Sequence, residues 1–253
     1  MLETIEHQGG IRELRLARPP VNALNPELVH ALRESVEAAP REGVDALVIS
    51  GATGIFSAGL DVPFLLTLDR AGMRAFWSDF LGMCAALARS PIPVVAAVTG
   101  HSPAGGAVIA LFCDFRVMAH GAYRIGLNEV QVGLTVPAVI QVALGRLLGP
   151  YRAERLLVQG AMLDAQAALA AGFVDELADV DFVAARAIGW LEELLKLPRQ
   201  AMLSTRALAR ADLAALFGDS ASLSVDALLD TWFAPEAQET LRAMVARLKA
   251  KTA

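Results

Sequence analysis

The chain has 253 residues, 55% of them hydrophobic and 19% charged, with a formal net charge of −5. That apolar content excludes a disordered chain, and the length suits one α/β domain with a sizeable core. The acidic balance excludes general nucleic-acid binding, although local cations and backbone amides can still hold an anionic ligand. Tyr and Trp are scarce, and abundant Ala and Leu predict helix-rich packing. Cys84 and Cys113 form no CxxC pair and have no His cluster nearby, so no metal site and no disulfide framework is expected. The opening MLETIEHQGGIREL lacks the basic, apolar, small-residue order of a signal peptide. The most apolar run, Ile92 to Cys113, is interrupted by Pro93, Thr99, His101, Ser102 and Pro103 and falls short of a membrane span. A soluble protein of a reduced compartment, by default the cytoplasm, is the expectation.

Gly10 to Ala17 reads as a first strand, ended by Arg18-Pro19-Pro20 because proline cannot continue a ladder. Asn25 reads as an N-cap with Pro26 at the first helical position, and Leu28, Leu32 and Val36 share a face of the helix that follows. Val44–Ser50 and Pro93–Val98 are short apolar runs that predict strands covered on both faces. Val62 to Arg89 reads as helical, with Phe76, Phe80, Met83 and Leu87 as core. A helix follows Gly106, then a strand near Phe115–Met118, and a short strand before Asn128. Further helices are expected at Ala138–Leu148, Tyr151–Val158, Ala165–Ala171 and Phe182–Leu195, with Asp164 as a cap and Gly172 as a stop. From Arg199 onward the pattern is helix after helix, broken at Gly218 and Pro235. A strand-and-helix core over residues 1–197 and a helical region over 198–253 are therefore expected.

Three stretches are suited to chemistry. In GIFSAGLD, Gly54 to Asp61, small residues follow a buried strand and would let a ligand approach the main chain. In GHSPAGGAVIALFCD, Gly100 to Asp114, a strand runs through a small-residue loop into a helix, whose first amides lack internal partners. Gly105 and Gly106 remove the side chains that would block those amides. In RIGLNEVQVGLTVP, Arg124 to Pro137, Glu129 sits among Ile125, Leu127, Val130 and Val132, where desolvation would raise its pKa toward neutrality. Alone, each stretch is more often a plain turn or an exposed glutamate. His101 reads as structural. Ser57 and Ser102 lack a His–Asp relay, so a serine nucleophile is not expected. No GxGxxG and no Walker pattern occurs.

Taken in order, RPPVNALNPEL, GIFSAGLD, PVVAAVTGHSPAGGAVIALFCDFRVMA, IGLNEVQVGL and AAGFVDEL resemble the crotonase (enoyl-CoA hydratase/isomerase) superfamily over most of the chain. The resemblance implies an α/β fold, a crotonase-like spiral of ββα units with a C-terminal helical region that packs against neighbouring subunits. It implies a homotrimer or hexamer, with an acyl-CoA thioester as substrate and no separate cofactor, since coenzyme A is part of the substrate. By position, the oxyanion-hole amides are those of Leu60 and Gly105, and the catalytic acid/base is Glu129. Ala23, Ser57, Ala58, Gly59, Asp61, Val108 and Asn128 are the implied substrate-binding residues, and Arg18 is a candidate for the CoA phosphates.

One departure carries information. Hydratases of the family place a second glutamate three residues after the second amide, and here that position is Val108. Syn addition of water uses two carboxylates, so the pattern that remains looks like the mitochondrial-type Δ3,Δ2-enoyl-CoA isomerase branch, which uses one. Three alternatives stay open: a hydratase or thioester hydrolase on the same scaffold, an RNA-binding homologue, and an inactive acyl-CoA binder. The RNA-binding alternative wants a basic helical face, yet Phe64 to Phe80 balances Arg70 and Arg74 against Asp69 and Asp79.

Overall fold

The computed structural model describes residues 1–218 and 224–252. Strands β1 (Leu2–Glu6) and β2 (Ile11–Leu16) form an antiparallel pair, and helix α1 (Pro26–Ala38) follows. The Asn25 side chain accepts the Leu28 N–H at 3.0 Å, as a cap ahead of Pro26 should.

The chain then repeats one pattern. A first strand enters a six-stranded sheet, a second enters a four-stranded sheet, and a helix covers the pair. The first round is β3 (Ala46–Ser50), β4 (Gly54–Ile55), α2 (Val62–Leu65) and α3 (Arg70–Arg89). The second is β5 (Val94–Val98), β6 (Gly100–Pro103) and α4 (Gly105–Leu111). The third is β7 (Phe115–Ala119), β8 (Arg124–Gly126), α5 (Ala138–Leu148) and α6 (Pro150–Gln159). A reversed round closes the sheets with β9 (Leu163–Asp164), α7 (Ala165–Ala171) and β10 (Glu176–Ala178). The larger sheet has the order β1-β2-β3-β5-β7-β10 and the smaller β4-β6-β8-β9. This is the expected ββα spiral.

Both faces of the large sheet are covered, which explains the unbroken apolar runs. Leu47, Ile49, Val94, Ala96 and Val98 face the main core beneath α1, α3 and α4. Ala46, Val48, Val95, Ala97 and Val117 face the opposite side, against Val183, Ala187 and Leu191 of α8 (Val183–Leu195). Each buried Val or Leu contributes on the order of 1.5–3 kcal/mol.

Two sequence expectations need correction. Residues 62–89 are not one helix: α2 stops at Leu65, and α3 starts afresh where the Asp69 side chain accepts the Gly72 N–H at 2.8 Å. The Thr-Leu-Asp before Arg70 is a cap signal that the surrounding apolar spacing hid. Strand β1 was not anticipated, because its LETIE sequence on an exposed edge has little apolar content.

Beyond residue 197 come α9 (Arg199–Ala209), α10 (Ala211–Ala215), α11 (Val225–Trp232) and α12 (Pro235–Thr252). No strand occurs there among the described residues. Of the expected helical tail, residues 219–223 and 253 lie outside the described residues. Leu213, Phe217, Leu229, Trp232 and Leu241 belong to the same apolar cluster as Leu14, Leu24 and Ile49. The Asp114 carboxylate, which also accepts the Val94 N–H, receives Arg206 bidentately at 2.8 Å and lies 3.2 Å from Arg210.

Candidate active site

The three stretches singled out in the sequence leave the small sheet at the same end. Strand β4 pairs parallel to β6 (Gly54 with Gly100), and β6 pairs parallel to β8 (Pro103 with Gly126). Their carboxyl-terminal ends therefore lead into adjacent loops. Close approach sets the residue choice: a Cβ on Gly100 would stand 1.9 Å from the Gly54 carbonyl carbon.

The first loop is fixed from inside. Leu24 N–H donates to the Gly59 carbonyl at 2.8 Å, and Asp61 N–H donates to the Leu24 carbonyl at 3.0 Å. In this isolated bridge the intervening Leu60 N–H faces away from Leu24. The fully buried Ser57 hydroxyl donates to the Asn22 carbonyl at 2.7 Å and accepts the Gly59 N–H at 3.2 Å. Ser57 is thus used within the loop, and its neighbour Ala58 donates its N–H to the Val21 carbonyl. Asp61 caps α2 through Phe64 N–H and holds the Arg18 guanidinium at 2.6 Å, while Arg18 also donates to the Ala23 carbonyl at 3.0 Å. Arg18 braces this loop, and its bonded nitrogens are turned to protein.

The second loop brings Ala104, at φ +46° and ψ −117°, just ahead of α4. Its N–H donates to the Gly126 carbonyl at 2.8 Å, tying the second loop to β8. Gly105 opens the helix beside Gly59. Among the described residues, neither the Leu60 N–H nor the Gly105 N–H meets a protein acceptor. Two such amides on touching loops can hold a negatively charged oxygen.

The third loop carries Glu129 in a single 3-10 turn after Asn128, closed by Gly133 in the left-handed region. Its side chain is buried, and Oε2 has no hydrogen-bond partner. Burial pushes its pKa up to about 7. The Asn128 Oδ1 is likewise buried and unpartnered. One expected neighbour does not desolvate the carboxylate: Val130 is 40% exposed, because a 3-10 turn rotates each residue by about a third of a circle. The apolar surroundings come instead from the cavity that Glu129 lines with Leu60, Gly105 and Val108.

That cavity also takes Trp77 and Phe80 from α3, Leu134, Thr135 and Pro137 from the third loop, Ile140 from α5, and Leu228 and Thr231 from α11. In the sequence Phe80 reads as plain core, Leu134, Thr135 and Pro137 fall within the third stretch, and Trp77, Ile140, Leu228 and Thr231 are not singled out. The third motif and the Phe80 spacing are the signals available, since the α11 residues reach the site by tertiary folding alone. Asn22, within the RPPVNALNPEL stretch, has a structural part that the motif does not disclose. It sits at φ +51°, accepts the Arg18 N–H at 2.9 Å and donates to the Phe56 carbonyl at 3.1 Å, so it joins the 18–24 loop to the first site loop. His101 is exposed, with Nδ1 accepting the Arg124 N–H and its ring edge-on to Tyr123. Among the described residues, no group of three or more His, Cys, Asp or Glu is placed to hold a metal. No described helix is long and apolar enough to cross a membrane.

The enoyl-CoA hydratase/isomerase family model matches residues 6–250. The chain belongs to this family. As a member of the enoyl-CoA hydratase/isomerase family it is an enzyme built for acyl-CoA thioesters. It is 32% identical over 206 residues to the mitochondrial enoyl-CoA delta isomerase 1 of Homo sapiens, covering 79% of this chain and 68% of that protein. It is 34% identical over 202 residues to a probable enoyl-CoA hydratase of Mycobacterium avium, covering 78% and 77%. The crystal structure of human mitochondrial Δ3,Δ2-enoyl-CoA isomerase superposes with a TM-score of 0.94 over 100% of this chain and 99% of that one, at 27% identity. An enoyl-CoA hydratase structure from Mycobacterium ulcerans gives a TM-score of 0.78 over 90% and 96%, at 32% identity. Isomerase and hydratase relatives of the family are thus similar to it in sequence to the same degree.

Proposed function

We propose that this chain is a Δ3,Δ2-enoyl-CoA isomerase, which moves the double bond of a 3-enoyl-CoA into conjugation with the thioester by a 1,3-proton shift. The observation that carries this reading is that Glu129 is the only titratable residue among the described residues lining the cavity, which Val108, at the position of the hydratases' second glutamate, also lines.

The thioester oxygen lies between the Leu60 and Gly105 amides. Glu129, as carboxylate, removes a proton from C2, and the charge spreads over the dienolate to the thioester oxygen. The same Glu129, now protonated, returns the proton at C4. No net proton is consumed, so one carboxyl group suffices. Each amide supplies roughly 2.7–4 kcal/mol of stabilisation as charge develops. A carboxyl pKa near 7 makes Glu129 a stronger base than an exposed carboxylate and leaves it substantially ionised at neutral pH. Val108 and the aromatic wall offer no second carboxylate to position or activate a competing water. Asp61, Ser57 and Asn22 hold the first amide in place rather than touching the reacting atoms. We extend the reading to the assembly that the family resemblance implies, a homotrimer or a pair of trimers.

A hydratase is the second reading, supported by the similarity to hydratase relatives and weakened by the missing second carboxylate. The deciding experiment supplies 3-hexenoyl-CoA and crotonyl-CoA separately and identifies the products. We expect 2-hexenoyl-CoA from the first, no 3-hydroxyacyl-CoA from the second, and loss of turnover in Glu129→Gln. Hydration of crotonyl-CoA at a comparable rate would replace this reading with the second.

A further inference from the structure

The cavity around Glu129 is nearly closed. It leaves about 20 Å³ of open space, little more than one water needs. A larger space of about 200 Å³ lies next to it, bounded by Leu81, Val136, Ala138, Gln141 and Ala227. Thr135, Pro137, Leu228 and Thr231 line both spaces and so form their common wall.

Half of that wall is α11, and its attachment is uneven. Leu229 and Trp232 are buried in the main core and anchor the helix. Leu228, one residue away, is only partly buried. The Thr231 hydroxyl donates to the Ala227 carbonyl at 3.0 Å, so it is satisfied within its own helix and demands nothing polar from a ligand. The Gln141 amide donates to the Val136 carbonyl at 2.8 Å and is likewise occupied. A Leu side chain can change rotamer while its helix stays seated, so of the four wall residues Leu228 is the one that swings aside at little cost.

We propose that the outer space is the distal subsite for the substrate's acyl tail, and that Leu228 is the gate that separates short acyl chains from long ones. This rests on the acyl-CoA reading of the site. Short chains end against Leu228. Longer chains displace it and extend between Thr135 and Thr231 into the outer space. The continuity of the two spaces through four shared residues favours the tail of a thioester already held at Glu129 over an unrelated ligand.

Saturated acyl-CoAs bind without reacting, so they test the subsite independently of the isomerase chemistry. Butyryl-CoA and decanoyl-CoA are titrated calorimetrically into the wild-type chain, Leu228→Ala and Ala227→Phe. Ala227 lines only the outer space. In Leu228→Ala the affinity ratio of decanoyl- to butyryl-CoA should rise by about tenfold. In Ala227→Phe it should fall by about as much, with butyryl-CoA within about twofold of wild type. Normal butyryl-CoA binding with an unchanged ratio in both variants would overturn the gate and the subsite. Failure of both ligands to bind the wild-type chain would instead sink the acyl-CoA reading on which they rest.

Discussion

Gly59 and Gly105 touch backbone to backbone. A Cβ on Gly59 would stand 3.3 Å from the Gly105 amide nitrogen, and a Cβ on Gly105 would stand 3.5 Å from the Gly59 Cα. Gly59 also has φ +81°, where a side chain is strained. Gly59→Ala should therefore lose about 1–3 kcal/mol of stability by urea unfolding. It should also lose about a hundredfold or more in kcat/KM, because it wedges apart the two amides. Full turnover in this variant would contradict the placement of the charge between them.

The pH profile should report Glu129. The proposed base must be ionised, and its pKa is pushed up to about 7 by burial. kcat/KM for a 3-enoyl-CoA should therefore rise with pH through about 7 and level off above it. A rate already flat from pH 5 upward would show that the proton acceptor is another group.

Stability should run the other way. Between the ordinary carboxyl value of 4.5 and about 7, the folded chain binds a proton that the unfolded chain has released. The contribution from protonated Glu129 is complete below about pH 4.5 and is lost as pH rises through about 7, a total of about 3 kcal/mol. Glu129→Gln removes this dependence. The variant should gain about 3 kcal/mol on the wild-type chain between pH 5 and pH 8 in denaturant unfolding. Parallel stability curves across that range would mean the carboxyl is not desolvated.

Val108→Glu places a second carboxyl beside the first. Two acids in one closed cavity resist ionising together, so the pH midpoint of the activity should move upward. Some hydration of crotonyl-CoA should become detectable by product analysis. A profile identical to wild type would place residue 108 away from the reacting carboxyl.

Asp114 holds two partly buried cations, Arg206 and Arg210, and burial lowers the pKa of Arg210. Asp114→Ala strands both and should cost about 3–5 kcal/mol in urea unfolding. A loss under about 1 kcal/mol would mean that water reaches these guanidinium groups.

What the sequence could and could not reveal divides along the range of the interactions. The apolar runs at 46–50 and 94–98 disclosed doubly covered strands, since every position there is buried. Asn25 and Asp164 disclosed helix starts through short-range bonds to residues three positions on. The three site loops were legible as motifs because close backbone contact demands small residues there. The cavity wall was not. Leu228 and Thr231 lie some hundred positions from Glu129, and nothing in the local pattern of α11 distinguishes a residue facing the cavity from one facing the core. The break between α2 and α3 was hidden for the opposite reason, because a single cap interrupted an otherwise continuous helical periodicity.

The shared apolar cluster has a consequence for dissecting the chain. Leu213, Leu229, Trp232 and Leu241 are buried against residues of the spiral. A chain shortened after residue 197 would bare that seam to water and remove one side of the catalytic chamber in the same cut. Such a fragment should aggregate rather than persist as a smaller enzyme, so the terminal helices act as the closing course of the wall and not as a detachable handle.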